Sequence, residues 1–152
     1  MANGPTQTLE KSILEWLLKQ TALPATPTTL FYALHSADPG DTGANELTST
    51  GSYARAQLNP DTNNSTNTNY NAIDQSATAS KITNKTDIAF PPATANWNGG
   101  NPIQYFSIWS ALTAGTCYWS GTIAGGTGVT VLNGTTLKFT GGATGQLSVT
   151  LD

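Results

Sequence analysis

Apolar positions recur with a helical period at one place in the chain, close to its start. In "TQTLEKSILEWLLKQTALP", Leu9, Ile13, Trp16 and Leu17 follow the i, i+4, i+7, i+8 spacing that gathers apolar groups on one helix face, and Gln20 breaks the series. Thr6 or Thr8 is placed to cap the amino end, Glu10 suits the positive first turn, and Pro24 stops the helix. Lys11, Glu15 and Lys19 stand at i, i+4 steps on the other side, as a solvated face requires.

Beyond Pro27 the period shortens to two, or the chain runs in short β-branched and aromatic stretches. The segments "TTLFYALHS", "GSYARAQLN", "KTDIAFP", "PIQYFSIWSA", "GTCYWSGTIA", "TGVTVLN", "TTLKFTG" and "GQLSVTLD" read as strands, most of them divided by Gly, Asn or Pro. Asn133-Gly134, between "GVTVL" and "TTLKF", is the strongest hairpin signal, because a type I′ turn needs positive φ at both central residues. Closely spaced strands without intervening helices predict a mainly β protein: an antiparallel β-sandwich or barrel-like domain with one N-terminal amphipathic α-helix. Residues 1–24 form the N-terminal segment with the helix, and 25–152 a single β domain. Within it, residues 59–84 are rich in Asn, Thr and Ser and predict a polar surface excursion.

Composition narrows the function classes. Only 10% of the 152 residues are charged, against roughly 25% in ordinary soluble domains, so the surface is polar but largely uncharged. Six basic residues against nine acidic ones, with no Lys/Arg cluster, argue against nucleic-acid binding. The opening residues lack the basic and apolar regions of a secretory signal, and no apolar run nears the ~18 residues of a membrane span. Synthesis in a cytoplasm and no membrane partner are therefore expected, with the sequons at Asn63, Asn64, Asn84 and Asn133 as accidents of composition.

Candidate chemistry is sparse. The single histidine, His35, ends a strand and lacks the partners of a hydrolytic triad or a zinc site, and the single Cys117 reads as a buried inert thiol. Asp38, Asp41 and Glu46 lie between two strands in "ADPGDTGANE", but their register is not that of a calcium loop. Asp-Pro-Gly and Asp-Thr-Gly match turn chemistry instead. Gly125-Gly126-Thr127-Gly128 is followed by a strand-like run without the lysine of a phosphate loop, so it reads as a turn. Trp97, Trp109 and Trp119, with Tyr105 and Tyr118, raise a sugar-stacking alternative, though aromatic residues in strands ordinarily fill core. No catalytic, cofactor-binding or metal-binding residue is assigned.

The stretch "LFYALHSADPGDTGANELTSTGSYARAQL" resembles a family of small tailed-phage structural proteins described as tail-fibre-like or as capsid cement (decoration) proteins. The likeness continues through "DIAFPPATANW", at Phe90, Pro91, Ala95 and Trp97, through "QYFSIWSALTAGTCYWSGTI", and to the closing "LSVTLD". It departs at residues 59–84, where this chain carries a longer polar insertion. The resemblance implies a non-enzymatic virion protein on the capsid surface, bound between major capsid protein subunits as a homotrimer that stabilises the shell. A tail-fibre or baseplate-associated protein is the alternative, and a carbohydrate-binding module the reading from another class. Leu9, Ile13, Trp16 and Leu17 are the candidate interface, unless they cover the helix's own sheet.

Overall fold

The computed structural model describes residues 4–63, 67–75 and 79–151. The first three residues, the Asn64 sequon, six positions of the 59–84 excursion and the last residue of the predicted closing strand lie outside the described residues. The protein is mainly β, with antiparallel sheets and a single helix at the amino end.

A two-residue strand β1 (Gly4–Pro5) leads into α1 (Gln7–Lys19). The helix ends before Pro24 acts: Gln20 turns left-handed at φ 55°, and the Thr21 amide reaches back to the Glu15 carbonyl at 3.2 Å. Its capping also differs from expectation. Thr6 is the N-cap but makes no side-chain cap; its Oγ1 donates to the Cys117 carbonyl at 2.7 Å, tying the helix start to the sheet.

The main sheet has the order β1-β7-β6-β2-β3, with β2 (Phe31–His35), β3 (Ala56–Gln57), β6 (Tyr105–Trp109) and β7 (Cys117–Thr122). Five residues of β2 pair with β6, from Phe31 opposite Trp109 to His35 opposite Tyr105. Alternation, together with a register shift in the β6–β7 pairing between Ile108 and Trp109, sorts the side chains. Tyr32, Leu34, Phe106, Ile108 and Trp119 enter the large core, whereas Ala33, Trp109 and Cys117, backed by Phe31, form a small cluster. The ribbons β5 (Ile88–Ala89) with β8 (Lys138–Phe139), and β4 (Ser80–Thr83) with β9 (Ser148–Leu151), contribute to the large core with Ile88, Phe139, Ile82 and Val149.

Three sequence expectations are corrected. β4 lies inside the supposed excursion, where Ile82 supplies an apolar residue and Tyr70 and Asn84 a bridge. The run 127–133 is not a strand: Val129 bridges Ile103 and the Val131 carbonyl takes the Trp97 amide, so its partners change within two residues and no ladder forms. At Asn133-Gly134 a turn does close, with the Thr135 amide on the Leu132 carbonyl at 3.0 Å. Only Gly134 has positive φ there, at 81°, which is the type II and not the type I′ pattern, and the flanking runs pair with the 88–97 segment and, at Val129, with Ile103 instead of each other. Asn84 is fully buried and is no glycan acceptor: its Nδ2 donates to the Thr86 and Phe139 carbonyls and its Oδ1 accepts the Leu147 amide, joining both ribbons.

The small cluster is roofed by the loop after β2. Asp38 Oδ1 accepts the Gly40 amide at 2.9 Å, and the Ala44 amide reaches the Pro39 carbonyl at 2.9 Å. Gly43 (φ 68°) lies so close to Trp109 that a Cβ there would sit 2.1 Å from the indole Cζ2. Glu46, at the loop's end, receives Arg55 in a two-pronged pair, Nε to Oε1 at 2.8 Å and Nη2 to Oε2 at 2.6 Å. Arg55 Nη1 donates to the carbonyls of Ala111 and Ala114, and its Cζ stands 3.9 Å from the Trp109 ring centroid. A lysine has the charge but neither the fork nor the flat face for this site. Arg55→Lys is expected to lower unfolding free energy by about 2–4 kcal/mol, measured by urea denaturation; a loss below about 0.5 kcal/mol would place the loop's anchorage elsewhere.

Candidate assembly interface

Each residue type that suggested chemistry is committed to structure. His35 is fully buried, and its Nδ1 must donate to the Ala44 carbonyl, at 2.7 Å. Its Nε2 is then left to accept the Ser107 hydroxyl at 2.6 Å, and Ser107 Oγ in turn accepts the Trp109 indole N–H at 2.5 Å. This serine and histidine touch as in a nucleophile pair, but both are sealed at 0% exposure. Burial holds the imidazole below its ordinary pKa, with the Ala44 carbonyl opposing. Cys117 is buried with its thiol 3.6 Å from the Trp119 carbonyl, and burial pushes its pKa up. Trp97, Trp109 and Trp119 are all core residues, with the Trp97 N–H on the Gly51 carbonyl, so the stacking platform has lost its three indoles; Tyr105 and Tyr118 are half-buried. Gly125-Gly126-Thr127-Gly128 is a tight turn after β7, held by the Gly126 and Gly128 amides on the Ile123 carbonyl.

The surface is different at α1. No residue of this helix is buried. It packs chiefly against β1 and β7, and Leu9, Ser12 and Glu15 are its half-buried positions. Of the residues singled out from the sequence, Leu9 is partly covered, while Ile13, Trp16 and Leu17 are 37%, 51% and 63% exposed. The periodicity reading missed Leu14 and Leu18, at 55% and 73%, and Leu23 beyond the helix. Their signal was present as a second apolar i, i+4 pair beside the first stripe. Within the helix these residues cover an arc of roughly 200°, interrupted at Gln7 and Glu10, when each residue advances about 100°. At ~200 Å² for a fully exposed large side chain, the patch is on the order of 600 Å². That is the upper end of what monomers leave open, roughly 300–600 Å². The helix thus turns its polar Ser12 and Glu15 inward and its leucines outward.

A second apolar surface lies on the body. A groove of about 500 Å³ is walled by Leu30, Tyr32, Ile73, Ile82, Ile108 and Val149. Asp61 stands on its rim; despite some desolvation, the amides of Asn69, Tyr70 and Thr68 hold its carboxyl below the usual range. The phenols of Tyr32 and Tyr70 meet at the groove floor, where burial raises both pKa values. Among the described residues no helix is long and apolar enough to cross a membrane, and no three His, Cys, Asp or Glu side chains gather as a metal site.

Comparison with known families places the chain among bacteriophage structural proteins. The family is that of the podophage GP4 fiber I protein gp80, matched over residues 4–150, and the chain belongs to it. No curated protein matches the chain.

The His35 network generates a pH dependence. The buried imidazole binds its proton less readily than in the unfolded chain, where the pKa is about 6.5. Stability is therefore complete above that value and declines as the pH falls through it, because the unfolded state then binds more protons. Urea midpoints measured from pH 7.5 to 5 should fall in the parent chain, and the His35→Gln variant should show a flatter profile. Equal slopes in the two would contradict the assignment.

Proposed function

We propose that the protein is a non-enzymatic structural component of a phage virion, attached through α1 and associated with further copies of itself, as a homotrimer. The observation that carries the reading is the fiber-protein family match across residues 4–150, and the exposed apolar helix supports it independently. A lone soluble domain gains nothing from displaying Leu14, Trp16, Leu17 and Leu18 to water, whereas an assembling one covers them at a partner.

The family's description fits placement in a fibre. Capsid cement is the second reading, favoured by the sequence resemblance at residues 30–58; there the protein would bridge major capsid protein subunits, with many weak contacts multiplied across the lattice. Both placements need the same feature, a rigid body joined to its neighbours by a surface that is incomplete in the single chain. A non-enzymatic role is supported by the internal use of His35, Ser107, Cys117 and Glu46.

Quantitative mass spectrometry of purified particles separates the placements. A handful of copies per particle is the fibre result, hundreds are the cement result, and absence from the particle would overturn the virion reading. Trp16→Ala is expected to cut incorporation about tenfold or more while leaving the urea midpoint of the β body unchanged. A variant that unfolds as it fails to incorporate would make the helix a part of the core instead.

A further inference from the structure

The helix arc and the groove are both apolar, both uncovered by the described residues, and on different parts of one chain. The helix packs on the β1 and β7 edge of the sheet, whereas the groove is walled by β2, β4, β6 and β9 residues. We infer that the outer face of α1 seats in the Leu30–Ile82–Val149 groove of an adjacent copy. The inference rests on the reading that copies associate, and names the surfaces through which they do so.

Size and shape carry the pairing. The helix patch is on the order of 600 Å², most of the ~800 Å² that each side of a standard interface contributes. The arc of roughly 200° is wider than the a/d seam that a paired helix alone would cover, so a surface wrapping the helix suits it better than a second helix. A groove of about 500 Å³ with Ile73 at 53% exposure on its wall provides such a surface. The groove also begins where the linker ends: residues 20–26 are exposed without regular structure, and Thr26 and Leu30 already belong to the groove wall. A contact between two different patches is heterologous, and it leaves nothing unpaired only when the copies close into a ring.

Two variants, each with one added cysteine, test this. Leu18→Cys lies on the outer helix face and Ile73→Cys on the groove wall, both exposed in the single chain, while the native Cys117 is buried and the unmodified protein serves as blank. Each variant alone and an equimolar mixture, assembled together from dissociated chains, are treated with a short bis-maleimide and resolved on a denaturing gel. The expected result is a covalent dimer in the mixture far exceeding that in either variant alone. A Leu18→Cys dimer formed without Ile73→Cys would make the contact helix to helix and overturn the inference. An assembly of unchanged mass with no cross-link in any sample would overturn it too, while leaving self-association intact. A chain that sediments as a monomer at all concentrations would remove self-association itself, and the particle copy number would still report on the virion reading. As a second measurement, Ile73→Asp should weaken association about tenfold without moving the urea midpoint, and an unchanged association constant would contradict the groove.

Discussion

Arg55 is the cation that this fold takes out of water, and much of the sheet's second face is arranged around it. Its side chain is 5% exposed, and four hydrogen bonds and one indole face surround the guanidinium. A buried charge is tolerable only with such complete pairing. The demand fixes three separate pieces of chain: the loop ending at Glu46, the 111–114 turn whose carbonyls face Nη1, and Trp109 on β6. Ala114 accepts a left-handed conformation at φ 53° in the turn that offers one of those carbonyls. The Tyr53 hydroxyl extends the network, accepting the Leu34 amide and donating to Glu46, so the ion pair is also tied to the middle of β2.

With that roof in place, the body satisfies itself. The large core gathers aromatic rings edge to face, Tyr53 on Trp97 and Phe90 on Phe139, and the described buried side-chain nitrogens and oxygens all have partners. Nothing in this arrangement calls on α1 for cover. The helix is held at its beginning, through β1 and the buried Thr6, and of its apolar residues only Leu9 is partly covered, while Ile13, Leu14, Trp16, Leu17 and Leu18 stand exposed. An element in this state carries a hydrophobic penalty for as long as it stays uncovered.

The sequence showed some of this plainly. The helix, β2, β6 and β7 follow from periodicity, since their side chains alternate against neighbours on both sides, and Asp38, Pro39 and Gly40 show their turn chemistry directly. What it hid is of two kinds. β1 is two residues long, too short to carry any period, and β4 was masked by a polar setting that suits a ribbon at the protein's edge. The helix face was hidden differently: an apolar stripe looks the same whether it covers its own sheet or waits for another chain. The partner of Glu46 was equally invisible, because a carboxylate in an acidic loop does not announce which of six basic residues will reach it.

The account stands on α1 being a contact element and not a surface ornament. A reconstruction of the intact particle, resolved well enough to trace helices, tests this most directly. It should show density from another chain against Leu14, Trp16, Leu17 and Leu18, with the 36–46 roof intact on every copy. A particle in which this protein is seated through other surfaces, with the outer face of α1 open to solvent, would contradict the account.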